Sequence, residues 1–432
     1  HIKVRPGTNV AVLNMMLYFI VKSKLYKEDF ILSRTEGFEN FLKGIEKLDI
    51  DHLAKVAGVD KQQVKEAAIA YATAKNSMEF HGLGVTEQEQ GSKTVMLIAD
   101  LAMITGNIGR KGVGVNPLRG QNNVQGAADM GCQPHQGAGY FEVADEKNQK
   151  FYSEKYGVTH PTKAGLKIPQ MFDAAIKKEI KGIWIIGEDI VQTDPNSAHV
   201  VEAMNSLELL VVQEIFMSET AKLATVVLPG TTFLEKDGTF TNTERRVQRV
   251  NRAVPPLPGT KPDGVIVTDM MQKLGFDQPD YDADQVLAEI ADIVPFFKGI
   301  TRERLGKFGL QWPVKEDGTD TQILHTEEFK LGKGRLKSFD WKESTEIKNN
   351  QKDYPLILTT SRVLQHYNAA TMTRRTNNIN IVDEDVLLIH PKDAADRDLN
   401  TGDIGRLYSG RGEVALKVEV TDKVKEGIVF TT

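Results

Sequence analysis

The stretch KGIWIIGEDIVQTDPNSAHVVEAMNSLELLVVQEIFMSETAKLATVVLPG, residues 181–230, decides the fold class. It contains three short, continuous apolar runs that predict strands, at residues 182–186, 209–212 and 225–228. Segments with helical periodicity alternate with these runs, at residues 171–180, 195–205 and 219–223. Apolar strands that alternate with helices are typical of a parallel sheet covered on both faces. The stretch therefore predicts an α/β domain.

Polar residues follow each of these strands, at the edge where parallel sheets bind ligands. They are GED at 187–189, QE at 213–214 and PGT at 229–231. Their carboxylates suit a ribose or a purine edge, and they suit equally well the N-termini of the next helices. No GxGxxG follows any of these strands and no GxxxxGK[ST] occurs, which argues against nicotinamide binding and NTP hydrolysis.

A second informative stretch is NPLRGQNNVQG, residues 116–126, which surrounds one arginine with side-chain amides and two glycines. Amides both donate and accept hydrogen bonds, and glycines let the backbone approach a ligand. Arg119 adds a planar fork of donors that suits a carboxylate or phosphate. The stretch predicts a polar pocket for a small anion; the alternative is a polar connector rich in turn residues.

The segments on either side differ in character. Residues 8–74 have helical periodicity, with Asp60 as a predicted N-cap, and a further helix at 91–105 has Gly106 as its predicted C-cap. A hairpin turning at DGT, residues 237–239, is predicted after the parallel sheet, and from residue 354 short strands separated by Gly, Asn and Asp predict a small β-barrel. Two helices, at 263–274 and 283–293, and a weakly patterned segment at 301–345 lie between them.

Composition excludes several classes of protein. The 432 residues are 40% hydrophobic and carry a net charge of −5, so nothing favours nucleic acid as a partner. No apolar run reaches the about 18 residues of a membrane span, and we expect no direct membrane insertion. Cys132 is the only cysteine, which excludes internal disulfides and Cys-ligated metal sites; we predict that it is a small packing residue.

Several of these motifs resemble one enzyme family. NPLRGQNNVQGAADMG at 116–131, with GLGVT at 82–86 and TGNIG at 105–109, resembles the molybdopterin (or tungstopterin) formate dehydrogenases. VQEIF at 212–216, ETA at 219–221, VLP at 227–229 and GTFTNTERR at 238–246 resemble the wider dimethyl-sulfoxide-reductase superfamily.

The resemblance implies a multi-domain α/β molybdopterin oxidoreductase fold, with parallel α/β sheets and a C-terminal small β-barrel of the double-psi type. The predicted divisions are an α/β domain ending at the arginine, a parallel α/β domain that binds a dinucleotide cofactor, a linker with a helical and irregular segment, and the truncated barrel. Their boundaries are 1–119, 120–252, 253–350 and 351–432.

The function implied is that of a formate dehydrogenase catalytic (alpha) subunit, which oxidises formate reversibly to CO2. The cofactor would be Mo or W bis(molybdopterin guanine dinucleotide), and electrons would pass to a [4Fe–4S] cluster and then to electron-transfer iron–sulfur subunits. The selenocysteine or cysteine ligand and the cluster cysteines would lie before His1, so no metal ligand is expected in this chain and we expect it to be inactive alone. A cytoplasmic location is expected, and a periplasmic one stays open.

The resemblance also assigns roles to particular residues. Arg119 would hold the formate carboxylate, and His135 is either a proton relay or a structural histidine. Glu87 stands where the family often has glutamine. The residues assigned to the cofactor are Leu83, Glu87, Gln121, Gly187, Glu188, Asp189, Asp194, Gln213, Glu214, Thr360, Arg362, His366, Thr371 and Thr373. Two alternatives remain: another molybdopterin oxidoreductase, of the nitrate or polysulfide reductase type, and a non-catalytic scaffold like the large iron–sulfur subunit of respiratory complex I.

Overall fold

The N-terminal part of the protein is a group of helices packed around Asn9–Lys22, in a computed structural model that describes residues 1–432. Leu17 and Ile20 of this central helix are fully buried, in one core with Ile45 and Leu101. Helices this short are marginal alone, and burial of their apolar faces stabilises them. The helices of this part are Asn9–Lys22, Glu28–Arg34, Phe38–Glu46, Ile50–Ala57, Lys61–Thr73, Leu83–Thr86 and Gly91–Ile104.

The predicted caps of two helices are confirmed. The Asp60 carboxylate accepts a hydrogen bond of 2.7 Å from the N–H of Gln62 and begins Lys61–Thr73. Gly106 follows the end of Gly91–Ile104 with a φ of +67°, a conformation that glycine adopts without strain.

Two short parallel strands carry the chain from this helical part to the arginine stretch. Met78–His81 pairs with Gly114–Pro117, and the Leu118 N–H then donates to the His81 carbonyl at 2.7 Å. Arg119 therefore emerges directly from the end of a paired strand.

The predicted parallel sheet is confirmed. Its strands are Gly182–Ile186, Leu209–Glu214 and Val226–Pro229; they lie in chain order, and both neighbouring pairs are parallel. Leu210 and Val212 of the middle strand are buried in one core with Val200 and Ala203 of a flanking helix. The helices that accompany the sheet are Ile168–Ile176, Ile190–Thr193, Ser197–Asn205 and Glu219–Lys222.

The predicted hairpin forms, but its turn lies elsewhere. Gly238–Thr241 and Arg246–Val250 pair as antiparallel strands, so the chain turns at residues 242–245 and not at DGT. The Asn242 side-chain oxygen accepts hydrogen bonds of 3.0 Å from the N–H groups of Glu244 and Arg246, and Arg245 has a φ of +66°. An asparagine that binds the backbone two residues on initiates a turn by itself, and this outweighs the Asp-Gly signal.

The connecting segments combine short helices with long irregular stretches, of which residues 306–344 are the longest. Leu310–Gln311 adds a third strand to the hairpin, and Gly334–Arg335 pairs with Thr35–Glu36 of the N-terminal part. The remaining helices are Val124–Asp129, Glu146–Tyr156, Asp263–Lys273, Ala283–Ile293, Arg302–Leu305 and Thr345–Asn350. No helix combines the length and the apolar character needed to cross a membrane.

The C-terminal strands form a mixed five-stranded sheet that curls into a half-barrel. Leu387, Ile389, Val418 and Val429 fill its core. The strands in spatial order are Ile357–Thr360, Ile428–Thr431, Val386–Ile389, Gly412–Val420 and Ile404–Ser409, and the helix Pro391–Ala395 follows the central one. The outer pair Ile357–Thr360 and Ile428–Thr431 is parallel.

Candidate active site

The arginine stretch is held in place by two distant parts of the chain. The backbone N–H of Arg119 donates to the Thr243 hydroxyl at 2.9 Å, and the N–H of Asn122 donates to the Tyr367 hydroxyl at 2.8 Å. The Asn123 side-chain oxygen accepts from the N–H of Thr241 at 2.9 Å. The hairpin and the loop of the C-terminal sheet therefore fix the conformation of the stretch.

These three parts line an open cavity of about 490 Å³, with mostly polar residues in its wall. Arg119 supplies the cation of the cavity wall, and Glu244 is the one carboxylate. The lining residues are Arg119, Gly120, Gln121, Asn122, Asn123, Thr241, Asn242, Thr243, Glu244 and Tyr367. Arg119, Gly120, Gln121 and Asn122 are exposed, so the arginine and its amides line an open surface pocket that they share with the hairpin.

The Arg119 side chain is held through its inner nitrogen. Its Nε donates to the Gln125 side-chain oxygen at 3.0 Å, while Nη1 and Nη2 have no hydrogen-bond partner in the protein. Nη1 and Nη2 together form the edge that binds carboxylates in a bidentate manner. The arginine is therefore oriented yet free to bind an anion.

Gln125 is itself fixed by a buried polar network. Its Nε2 donates to Asp129 Oδ1 at 2.8 Å and contacts the Tyr140 hydroxyl at 2.9 Å. The Tyr140 hydroxyl donates to the same Asp129 oxygen at 2.7 Å, and Trp312 Nε1 donates to Asp129 Oδ2 at 2.9 Å. Asp129 is fully buried, and desolvation raises its pKa. Desolvation and the hydrogen bond to Asp129 also raise the pKa of Tyr140.

Sequence reasoning missed this network. Gln125 and Asp129 are four positions apart on the helix Val124–Asp129, a spacing that places two side chains on one face, and this was the available signal. Trp312 lies 183 positions from Asp129, and nothing local in the sequence indicates that the two meet.

Residues at the carboxyl ends of the parallel strands divide into two groups. Gly187 has a φ of +64° and open space around its Cα, and Glu188 is exposed with one hydrogen bond, from the Thr193 hydroxyl at 2.7 Å. Asp189 is buried and accepts from both the N–H and the hydroxyl of Thr220. The Asp189 carboxylate therefore binds the N-terminus of the helix Glu219–Lys222, which was one of the two predicted roles. The second carboxylate oxygen of Glu188 has no hydrogen-bond partner.

The second strand end carries buried polar atoms without partners. Gln213 Nε2 donates to Asp263 Oδ1 at 2.7 Å, but its Oε1 is buried and unpaired, as is the hydroxyl of Thr231 at the third strand end. Desolvation raises the pKa of Glu214, whose Oε1 accepts from the N–H of Ile215. Asp194 makes one long contact, 3.5 Å, with the N–H of Asn196. Unpaired buried polar atoms at this edge fit a polar ligand, because each costs free energy without a partner.

The loop after residue 360 contains the assigned C-terminal residues. His366 is buried between the Thr373 hydroxyl at 3.0 Å and the Val382 carbonyl at 2.7 Å, so both of its ring nitrogens are used inside the protein. Arg362 is exposed and donates to Asn368 at 3.2 Å. Thr360 is exposed and Thr371 is half-buried. His366 and Thr373 therefore shape this loop, and Arg362 remains open to a ligand.

The other assigned residues lie on the surface of the N-terminal part and around the cavity. Leu83 and Glu87 are exposed at the two ends of Leu83–Thr86, and Gln121 lines the cavity. The His135 side chain is exposed and no hydrogen bond joins it to Arg119. Cys132 is exposed, so its predicted packing role is wrong.

The chain matches the molybdopterin oxidoreductase family over residues 1–273 and the molybdopterin dinucleotide binding domain over residues 356–432. The chain therefore belongs to the molybdopterin oxidoreductase family, whose cofactor is a molybdopterin. It is 42% identical to the F420-dependent formate dehydrogenase subunit alpha of Methanocaldococcus jannaschii, over all of this chain and 64% of the relative. It is 34% identical to formate dehydrogenase H of Escherichia coli, over all of this chain and 61% of the relative.

A solved structure has the same fold. Acetylene hydratase from Pelobacter acetylenicus superposes with a TM-score of 0.74 at 19% identity, over all of this chain and 63% of that one. The predicted fold, with parallel α/β sheets and a curled C-terminal β-sheet, is thereby confirmed. The chain spans 64% of the length of the M. jannaschii relative.

Proposed function

We propose that this chain is the greater part of a formate dehydrogenase catalytic subunit, which oxidises formate to CO2 reversibly. The single observation that carries the proposal is the state of Arg119. Its Nε is held by a neutral amide, and its Nη1 and Nη2 are unpaired in a cavity with one carboxylate. A guanidinium fork in that state matches the two oxygens of formate.

The cofactor proposed is Mo or W bis(molybdopterin guanine dinucleotide), supported by the two family matches. When bound, it supplies a metal centre that accepts two electrons. Gly187 and Glu188 would hold a nucleotide at the open strand end, and Gln213 and Thr231 offer it unpaired polar atoms. Arg362 is free to bind its phosphates.

Arg119 would bind and orient the substrate and would not exchange protons. Its guanidinium cation would stabilise the formate anion. His135 is exposed and has no competing partner, which supports a role in carrying the released proton to solvent. Oxidation would send the electrons through a [4Fe–4S] cluster to iron–sulfur partner subunits, in the cytoplasm.

Replacement of Arg119 by lysine tests the proposal. Lysine keeps the charge but loses the planar fork, so we expect kcat/KM for formate to fall by about a hundredfold or more in the holoenzyme. The measurement is formate-dependent dye reduction, with metal content determined in the same preparation. Arg335→Lys is the matched control, since Arg335 is exposed and pairs with Glu36 far from the cavity.

Near-normal formate oxidation by the Arg119→Lys enzyme would contradict the proposal. Turnover of nitrate or polysulfide, with none of formate, by the wild-type holoenzyme would instead favour the reductase alternative. A holoenzyme that binds no Mo or W would favour the scaffold alternative.

A further inference from the structure

Asp129 is a buried carboxylate surrounded by hydrogen-bond donors. One residue, Gln125, lies between it and Arg119 in the cavity wall. Gln125 and Tyr140 both donate to Oδ1, and Trp312 donates to Oδ2. Three donors converging on two oxygens match the acceptor-only chemistry of an ionised carboxylate. Asp129 is fully buried, so water does not contact its carboxylate.

The network determines which way the Gln125 amide faces. Since Asp129 accepts, the NH2 group of Gln125 must face Asp129, and its oxygen must face Arg119. A hydrogen bond to Nε holds the guanidinium at its base and leaves the Nη1–Nη2 edge aimed away from Gln125. Asp129 therefore determines the orientation of the Arg119 guanidinium through one intervening side chain, that of Gln125.

The amide also keeps the cation and the anion apart. A carboxylate placed directly against Arg119 would occupy the fork in a bidentate pair and compete with an anionic ligand. Asp129 fixes the Gln125 amide, and the amide oxygen in turn orients the Arg119 guanidinium without placing a negative charge beside it. A neutral side chain therefore separates the exposed Arg119 from the buried Asp129 carboxylate.

We propose that Asp129 is a positioning residue for substrate binding, acting through Gln125 to orient the Arg119 fork towards the substrate anion. The inference rests on the proposed function, because it takes formate as the anion held by Arg119. Tyr140 and Trp312 hold the Asp129 carboxylate in place by donating hydrogen bonds to it.

Asp129→Asn tests the inference with little change of shape. An asparagine has one acceptor oxygen for three donors, so either Trp312 or Gln125 faces its NH2 group. Where Gln125 reverses its amide, its own NH2 faces Arg119 Nε and the hydrogen bond is lost. We expect the KM for formate in the holoenzyme to rise about tenfold, with a smaller fall in kcat.

Gln125→Glu is the second variant. It places a carboxylate against Arg119 and beside Asp129, so we expect a larger rise in KM, because the new side chain competes with formate for the fork. Asp145→Asn is the matched control: it removes a carboxylate at the exposed N-terminus of Glu146–Tyr156, where asparagine caps a helix about as well as aspartate, so we expect neither KM nor the unfolding temperature to change.

A merely structural role for Asp129 would lower stability and leave KM unchanged, and that result would overturn the inference while the proposed function stands. A crystal structure of the Asp129→Asn protein supplies a test that needs no turnover. Retention of the 3.0 Å contact between Arg119 Nε and Gln125 Oε1, while Trp312 Nε1 still donates to side chain 129, would overturn the inference. Loss of that contact, with a displaced guanidinium, supports it even where the substrate proves to be another anion.

Discussion

Asn123 and Thr241 are joined by a hydrogen bond of 2.9 Å, from the N–H of Thr241 to the side-chain oxygen of Asn123, although 118 positions separate them in the sequence. Asn123 has a φ of +60°, and asparagine is among the few residues that adopt this conformation readily. The bond connects the arginine stretch to the hairpin that forms the opposite wall of the cavity. The Asn123 amide and the Thr243 hydroxyl, which accepts from the Arg119 N–H, therefore set the spacing of the two walls together.

Gly126→Ala should break that connection. A Cβ at Gly126 would lie 2.1 Å from Asn123 Oδ1, so the asparagine must move away from Thr241. We expect kcat/KM for formate to fall by about tenfold, and the unfolding temperature to fall as well. Gly412→Ala is the control, since no atom lies within 4 Å of its added Cβ. Unchanged kinetics in Gly126→Ala would mean that the wall spacing does not matter.

Tyr367→Phe should loosen the other attachment of the stretch. It removes the acceptor of the Asn122 N–H, a bond that connects the C-terminal loop to the arginine stretch. A neutral hydrogen bond of this kind contributes about 1 kcal/mol, so we expect a severalfold rise in the KM for formate. Tyr408→Phe, on the exposed face of the C-terminal sheet, serves for comparison. An equal effect in both variants would show that the Tyr367 hydroxyl is not specifically needed.

Asp100 should make stability depend on pH. It is 1% exposed, with one unpaired oxygen, and desolvation raises its pKa from 3.8 to about 8, against the opposing N–H and charge of Lys337. The folded state holds the proton more tightly, so the contribution to stability is complete below about pH 4 and is lost as the pH rises through about 8. We expect the unfolding temperature of the holoenzyme to fall between pH 5 and pH 8 by a few degrees.

Asp100→Asn should flatten that slope, because asparagine stays neutral across the range. Glu79, whose pKa desolvation raises to about 7, would leave a smaller slope of the same sign. Thermal unfolding at several pH values measures this, and Asp353→Asn, an exposed carboxylate, should reproduce the wild-type slope. An identical slope in Asp100→Asn and the wild type would contradict the prediction.

Glu188→Gln should weaken cofactor retention. Glu188 is exposed beside the open Gly187 and is the carboxylate best placed to accept hydrogen bonds from a nucleotide there. We expect severalfold less Mo or W, and less guanine, per chain after gel filtration. Glu202→Gln, exposed on the helix Ser197–Asn205 of the same sheet, is the control. Equal metal content in the two variants would remove Glu188 from the cofactor site.

The features that the sequence predicted well are those with local signals. The strand Gly182–Ile186 is a continuous apolar run, and Asp60 stands immediately before the helix that it caps. The arginine pocket was predicted because Arg119 and its amides are adjacent in the chain. The turn at residues 242–245 was misplaced, because Asp237-Gly238 and Asn242 are both local turn signals and composition does not rank one above the other.

The partners of the site could not be predicted, because distant segments supply them. Trp312 reaches Asp129 across 183 positions, and Tyr367 reaches Asn122 across 245. Periodicity reports which face of a helix is apolar, but it does not report which distant side chain that face meets. Asp129 stands in the stretch NPLRGQNNVQGAADMG, but only the folded structure brings its three donors to it.

The attachment of the arginine stretch to Thr243 and Tyr367 has a consequence for biosynthesis. These attachments lie 124 and 245 positions after the groups that they hold. While the chain is being translated, the arginine stretch emerges from the ribosome long before either attachment exists, so the pocket stays unformed on the nascent polypeptide. Assembly of the pocket is therefore a late event in synthesis, because it must follow the emergence of Tyr367.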